Sequence, residues 1–202
     1  MIRWVSDRVE DRARDFGALA RSVGAAPAIG LLAHATAAPL VLVAGPVGHE
    51  IAAHVCSGAG EMGGLLLGHA YAMPVTPRHG FAFLVAVEAQ IPSERFDNSP
   101  VSLRMESQLW QRATPHLDAG LSVVGWYHSH PGLGAFFSGT DRTTQRAFFR
   151  QPYSLGLVVD PVRAEHACYA GPDSAEPGFD VRVAPSLASL DALFGAQAER
   201  QR

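Results

Sequence analysis

The opening stretch of the chain repeats apolar residues at a helical spacing. Between residues 2 and 23, apolar side chains such as Trp4 and Phe16 recur about every three or four positions, with arginines and aspartates among them. Because an α-helix has 3.6 residues per turn, this spacing places the apolar side chains on one face. The pattern predicts one amphipathic helix over residues 2–23, which ends in the segment 24–27.

A mostly apolar stretch follows over residues 28–44. His34 and Pro39 interrupt it, and its length is marginal for a helix that spans a membrane. The aliphatic run at its end, residues 40–44, is typical of a buried strand. We therefore predict a buried connection followed by a strand, and no membrane-spanning segment.

The remaining pattern alternates between strand and helix signals. The predicted strands cover residues 61–68, 80–91, 121–128, 155–160 and 165–170, and the predicted helices cover 46–57, 102–119, 140–151 and a short stretch around Leu187–Leu193. Such alternation favours an α/β fold with a largely buried sheet. We expect one main domain over residues 37–175, preceded by a helix and connection (1–36) and followed by a tail with a short helix (176–202).

Composition narrows the possible functions. Of the 202 residues, 48% are hydrophobic and 17% are charged, which is enough apolar material for a folded core and excludes disorder as the general state. The formal net charge of −3 and the lack of a basic stripe argue against nucleic acid as a partner. Trp4, Asp7 and Glu10 stand where a secretory signal would need an apolar run. The widely separated Cys56 and Cys168 fit a reduced setting, so we expect a cytoplasmic protein.

One group of polar residues has the spacing of a metal-binding site. His128 and His130 lie two positions apart at the end of a predicted strand, so their rings point to the same side. After a glycine-rich loop, Asp141 falls in the first turn of the next helix and can turn back toward them. Two imidazoles and one carboxylate, with a fourth position open, form the ligand set of a catalytic zinc site.

The spacing resembles the signature of a known enzyme family. His128-x-His130, seven residues, Ser138, two residues and Asp141 is similar to the motif of the JAMM (MPN+) metallopeptidases. The segment that starts at Glu61 resembles the strand that carries the catalytic glutamate of that family. The stretches 123–131 and 158–161 are similar to its eukaryotic deubiquitinating and deneddylating members, and the resemblance covers roughly residues 40–170.

This resemblance implies a fold and a role for each residue of the motif. It implies a three-layer MPN (cytidine-deaminase-like) α/β domain with a mixed sheet flanked by helices, preceded here by an N-terminal helical extension. His128, His130 and Asp141 match ligands of one Zn²⁺ per chain, which lowers the pKa of a bound water. Glu61 matches the general base, and Ser138 matches the residue that hydrogen-bonds the developing oxyanion.

The sequence does not identify the substrate. The resemblance implies an isopeptidase that cleaves after the C-terminal tail of a ubiquitin-like protein; the alternatives are a peptidase that trims a ubiquitin-like precursor or sulfur carrier, and a non-catalytic scaffold subunit. The loop over residues 92–100 is short where deubiquitinating relatives carry an insertion that clamps the tail. The apolar face of the N-terminal helix predicts burial on the domain itself, on a second copy or on a partner.

Two further motifs are set aside on geometric grounds. His49 and His54 resemble a helical zinc motif, but a spacing of five places their rings ~140° apart around a helix. Gly58-x-Gly60-x-x-Gly63 fits the dinucleotide-binding pattern, but it follows a helix and enters a strand, which is the reverse of the required order. We interpret it as a turn.

Overall fold

The structure of the protein is a computed structural model that describes residues 13–93, 107–175 and 180–184. Five helices and seven strands follow one another in this part of the chain. Their bounds are α1 Phe16–Val23, α2 Ala25–Ala37, β1 Leu40–Ala44, α3 Gly45–Val55, β2 Gly63–Ala72, β3 Phe83–Pro92, α4 Ser107–Asp118, β4 Ser122–Ser129, α5 Gly139–Phe148, β5 Leu155–Asp160, β6 Glu165–Ala170 and β7 Asp180–Ala184.

The strands form one mixed sheet in the order β6-β5-β4-β2-β3-β1-β7. β1 runs parallel to both β3 and β7, and β4 runs parallel to β5. The pairs β2–β3, β2–β4 and β5–β6 are antiparallel. The mixed sheet of the predicted fold class is therefore confirmed.

Helices cover both faces of this sheet. Along β1, Val41 and Val43 pack in a cluster with residues of α3, whereas Leu40 and Leu42 pack on the opposite face with residues of α1 and α2. Farther along that second face, residues of α4 pack with residues of β2 and β4. Because strand side chains alternate between faces, a sheet with two buried faces needs a helical layer on each side. The result is the predicted three-layer α/β arrangement.

The prediction of one helix over residues 2–23 is wrong in the part that the structure describes. Helix α1 begins at Phe16, after Asp15, whose carboxylate accepts a hydrogen bond from the Ala18 N–H at 2.7 Å and caps the helix. Arg14 is extended and forms a parallel bridge with Tyr71 of β2. Trp4 lies outside the described residues. Leu19 of α1 is buried against the chain's own sheet, and contact with a partner through this helix stays a prediction.

The buried connection predicted after residue 28 is instead helix α2. Its sequence is rich in alanine, the strongest helix former, and Pro27 lies in the first turn, where proline is tolerated. Pro39 falls beyond the end of the helix. None of the described helices is both long enough and apolar enough to cross a membrane.

The C-terminal segment contributes a strand that the hydrophobic pattern did not reveal. β7 pairs with β1 in parallel from Leu40↔Asp180 to Ala44↔Ala184. The helix predicted around Leu187–Leu193, most of the loop 92–100 and the start of the helix predicted from 102 lie outside the described residues. The remaining elements begin and end within a few residues of their predicted bounds, and the division of the chain at residues 36 and 175 stays a prediction.

Candidate metal centre

The end of β4 presents the two candidate histidines. His128 is the penultimate residue of the strand, and His130 directly follows it. The backbone N–H of His130 donates a hydrogen bond to the Val159 carbonyl at 2.9 Å, which continues the pairing of β4 with β5 past the last strand residue. As the period of two predicts, the rings of His128 and His130 lie on the same side, with their centroids 4.7 Å apart.

The start of helix α5 supplies the carboxylate. Ser138 is the N-cap, and its hydroxyl accepts a hydrogen bond from the Asp141 N–H at 3.2 Å. The Asp141 carboxylate accepts one in return from the Ser138 N–H at 2.7 Å. This reciprocal capping box fixes Asp141 in the first turn, with Oδ1 free to face His128.

The structure brings these three side chains together in a buried cluster. His128 Nε2 lies 3.4 Å from Asp141 Oδ1, and His130 Nε2 lies 3.6 Å from Asp141 Oδ2. One potential ligand atom from each residue lies within 4.8 Å of the other two. The exposed fractions are 2% for His128, 4% for His130 and 7% for Asp141, so the cluster is shielded from bulk water.

The donor atoms fit a zinc ion. Both ring nitrogens of His128 are buried without a hydrogen bond from any described residue, apart from the close approach of Asp141. Buried ring nitrogens are rarely left in this state, and an unpartnered one commonly marks an ion or water. Two imidazole nitrogens and a carboxylate oxygen are the three protein ligands typical of catalytic zinc, which keeps a further position open.

The protonation states also fit a cation. Burial, reinforced by the neighbouring His128, lowers the pKa of His130 and favours the neutral ring that binds metals. Burial alone would raise the pKa of Asp141, but His128 and the hydrogen bonds from Ser138 outweigh it and lower that pKa to about 2. At neutral pH the cluster therefore offers neutral imidazole and an ionised carboxylate.

Glu61 lies at the edge of the cluster, two residues before β2 begins. Its Oε1 is 3.7 Å from His130 Nε2, and its side chain is 17% exposed. Burial, followed by repulsion from Asp141, raises the pKa of Glu61 to about 7. A carboxyl group with such a pKa can both accept and release a proton near neutrality, which suits a general base.

Ser138 lies beside the cluster and has a structural role, while its predicted contact with an oxyanion stays a prediction. Its hydroxyl caps α5 through Asp141, so the residue that is expected to face an oxyanion also stabilises the helix that carries a ligand. A hydroxyl can accept one hydrogen bond and donate another. Capping therefore leaves the Ser138 proton available to a substrate.

Sequence reasoning missed the residues that support His128. The Trp126 ring stacks on the His128 ring with centroids 4.6 Å apart, and its Nε1–H donates to Gln145 Oε1 at 2.6 Å. Gln145 is fully buried and also donates to the carbonyls of Ser154 and Gly171. The sequence held a signal for this contact, since Gln145 follows Asp141 by four positions and shares its helix face.

The motifs that were set aside do not form ligand sites among the described residues. His49 is exposed, whereas His54 Nδ1 lies 2.8 Å from the Tyr127 hydroxyl. Residues 58–62 form a bend between α3 and β2, and Gly63 begins the strand, so this segment connects the two elements as predicted.

Comparison with known proteins places this site in a family. The family described as prokaryotic homologs of the JAB domain matches residues 46–168, more than half of the chain. The NAD(+) hydrolase TcpA of Theionarchaea archaeon (strain DG-70-1) is 37% identical over 112 residues, which is 54% of this chain and 30% of that protein. COP9 signalosome complex subunit 5 of Eremothecium gossypii is 46% identical over 72 residues, 32% of this chain and 16% of that one.

Two further similarities agree with this assignment. The 26S proteasome regulatory subunit rpn11 of Schizosaccharomyces pombe is 49% identical over 43 residues, covering 21% of this chain and 14% of that protein. The solution structure of protein DSY2949 from Desulfitobacterium hafniense aligns with a TM-score of 0.52 at 21% identity, over 71% of this chain and 94% of that one, and shows a shared fold.

The chain spans less than a third of the length of these three curated relatives. The matched segment nevertheless contains Glu61, both histidines, Ser138 and Asp141. The resemblance to the JAMM (MPN+) proteins is therefore confirmed at the level of the family: the chain belongs to the prokaryotic homologues of the JAB domain.

Proposed function

We propose that this protein is a zinc-dependent hydrolase that cleaves a peptide or isopeptide bond. The observation that carries the proposal is the buried convergence of His128, His130 and Asp141, with Glu61 3.7 Å from one of these ligands. A non-catalytic scaffold would not need a carboxylate with a raised pKa beside a complete ligand set. The scaffold alternative is therefore the weaker one.

The three proposed ligands contribute different donor atoms to the zinc site. His128 and His130 supply imidazole nitrogens from β4 and the residue after it, and Asp141 supplies the negative charge from the neighbouring helix. When bound, zinc acts as a Lewis acid that favours ionisation of a water ligand and polarises a substrate carbonyl. The stacked Trp126 ring and the capping box keep the His128 ring and the Asp141 carboxylate in place.

Glu61 moves the proton in this proposal. Its ionised carboxylate takes a proton from the attacking water and then gives it to the nitrogen of the departing amine. In the metal-free protein, burial and repulsion from Asp141 raise the pKa of Glu61 to about 7, and the charge of a bound zinc ion would lower it again and favour the ionised base. The Ser138 hydroxyl donates a hydrogen bond to the oxygen of the substrate carbonyl as negative charge develops there.

The proposed substrate is a conjugate in which the C-terminal tail of a ubiquitin-like protein is joined to another protein, and the bond after that tail is cleaved. This part of the proposal rests on the similarity to COP9 signalosome subunit 5 and to the proteasome subunit rpn11, and on the motif shared with deubiquitinating members of the family. TcpA, which is named an NAD(+) hydrolase, is also similar to this chain. The proposal follows the other two relatives because the motif of His128, His130, Ser138 and Asp141 resembles that of the deubiquitinating members.

Two substrates separate deconjugation from precursor processing. The purified protein is incubated with a ubiquitin-like protein linked to a lysine side chain, and with the same protein extended by a short linear C-terminal peptide. We expect cleavage of the lysine conjugate that is abolished by a chelator and restored by zinc. Cleavage of the linear extension alone would favour the processing peptidase, and cleavage of neither by the zinc-loaded protein would contradict the proposal for this substrate class.

A further inference from the structure

A buried aspartate lies directly behind the loop that joins His130 to Ser138. Asp160, the last residue of β5, is fully buried. Its Oδ1 accepts hydrogen bonds from the backbone N–H groups of Gly132 at 2.9 Å, Val162 at 2.9 Å and Arg163 at 3.1 Å. Its Oδ2 accepts one from Gly134 at 2.7 Å. Four backbone donors from two separate loops thus converge on one carboxylate.

The charge of this carboxylate is balanced mainly by the backbone. The nearest cation among the described residues is Arg163, whose Nε lies 3.6 Å from Oδ2 and whose side chain is 53% exposed. Burial alone would raise the pKa of Asp160, but the four N–H groups outweigh it and lower the pKa to about 2. A buried carboxylate is costly unless it is fully hydrogen-bonded, so it holds its donors in place.

Besides Asp160, the loop has two backbone anchors: the Leu133 N–H donates to the His130 carbonyl at 3.1 Å, and the Phe137 N–H donates to the Tyr169 hydroxyl at 3.2 Å. Gly132 and Gly134 have φ values of +76° and +97°, in the region that glycine populates readily and other residues avoid. Leu133, between them, is 59% exposed. The two hydrogen bonds to Asp160 therefore fix a glycine-rich segment that begins two residues after His130 and leads to the N-cap of α5.

We propose that Asp160 is a positioning residue. By holding the 131–137 loop at the end of β5 as a clamp, it fixes the orientation of the His130 ring and the position of Ser138. The inference rests on the proposed function, because it assigns to Asp160 an indirect role in metal binding and turnover. The His130 N–H is bonded to Val159, next to the clamp, so loss of the clamp frees the loop immediately beyond a ligand. Groups that orient metal ligands from behind commonly affect metal affinity by about 10–100-fold.

The Asp160→Asn variant tests this role with little change in shape. The amide oxygen can keep the three donors of Oδ1, whereas the amide NH₂ would face the Gly134 N–H and could not accept from it. We expect zinc affinity to fall about 10–100-fold and kcat to fall at zinc saturation with KM nearly unchanged. In the metal-free protein, the Gly132 and Gly134 amides should exchange with deuterium faster. Asp118→Asn, an exposed change at the end of α4, is the matched control.

A second pair of variants perturbs the loop and leaves Asp160 intact. Gly132 and Gly80 have nearly equal φ values, +76° and +75°, and a Cβ at either position would meet no atom within 4 Å. Replacing either glycine with alanine should therefore introduce the same backbone strain. We expect Gly132→Ala, but not Gly80→Ala, to weaken zinc binding and lower kcat, even if Asp160→Asn proves too unstable to purify.

The outcomes distinguish this inference from the proposed function. If the parent protein binds zinc and hydrolyses its substrate while Asp160→Asn and Gly132→Ala match their controls in zinc affinity, kcat and amide exchange, Asp160 has no positioning role. If the parent itself binds no zinc, the proposed function fails. In that case, faster exchange of the two glycine amides in Asp160→Asn would still demonstrate the clamp.

Discussion

Ser129 accepts a hydrogen bond from the backbone N–H of Met62, with 2.9 Å between Met62 N and Ser129 Oγ. The Ser129 N–H donates in turn to the Met62 carbonyl at 2.8 Å. Ser129 is fully buried and stands between His128 and His130, pointing to the opposite face of the strand. The residue that separates two candidate ligands therefore anchors the neighbour of Glu61.

This anchoring predicts a specific effect of Ser129→Ala. The change leaves the part-buried Met62 N–H without its side-chain partner, which costs at most about 1–3 kcal/mol, the range for a fully buried donor. Because the lost bond holds Glu61 and not the ligands, we expect a fall in kcat of roughly tenfold with one zinc per chain retained. Ser122→Ala, at the other end of β4, is the control. Loss of zinc in Ser129→Ala at unchanged folding would show that the anchor acts on the ligands instead.

Ser138 should contribute to both stability and rate, and two substitutions separate the contributions. Ser138→Ala removes the helix cap and costs about 0.5–2 kcal/mol, whereas Ser138→Gly costs only a few tenths, since glycine is tolerated at the N-cap. Both variants lose the hydroxyl and should lose about 10²–10³ in kcat if it stabilises the oxyanion. Thermal unfolding and turnover are measured on the same samples. Near-parental turnover of Ser138→Gly would show that the Ser138 hydroxyl caps the helix and does not stabilise the oxyanion.

In the metal-free protein, Glu61 should make a destabilising contribution that grows as pH rises. The pKa of Glu61 is raised from 4.5 to about 7, so the folded state holds a proton that the unfolded state has released. Folding is therefore penalised progressively between about pH 4.5 and pH 7, and fully above that range. Glu61→Gln removes the penalty, and at pH 8 it should be more stable than the parent by about 1–3 kcal/mol.

At pH 4 the same comparison should give almost no difference, since Glu61 is then protonated in both states. Unfolding by urea at several pH values, with chelator present, provides the measurement. A stability difference that does not change with pH would argue against a buried, repelled carboxyl at position 61.

The sequence allowed the candidate site to be predicted more fully than the fold around it. His128, His130 and Asp141 are encoded by a short local spacing, and the order of the central elements follows from their hydrophobic periods. Strand β7 was missed because its pairing with β1 joins distant parts of the chain. Helix α2 was missed because an alanine-rich apolar segment gives little periodic signal.

The supporting contacts of the site were hidden for a different reason. Asp160 and Ser129 accept hydrogen bonds from backbone N–H groups of loops. Every residue except proline has such a group, so the amino-acid sequence does not show which ones will be partners. The start of α1 depends on one cap, Asp15, which is hard to distinguish from the other acidic residues of a charged segment. These contacts can be recognised only from the folded positions of the loops and helix ends.

The most direct test of the proposed mechanism compares turnover and zinc content in the parent, Glu61→Gln and Asp141→Asn. Glu61 is assigned to proton transfer, so Glu61→Gln should keep one zinc per chain and its fold while turnover falls by about 10²–10⁴. Asp141→Asn removes a charged ligand and should lose zinc affinity itself. Near-parental turnover of zinc-loaded Glu61→Gln would contradict the mechanism, however well His128, His130 and Asp141 fit the metal.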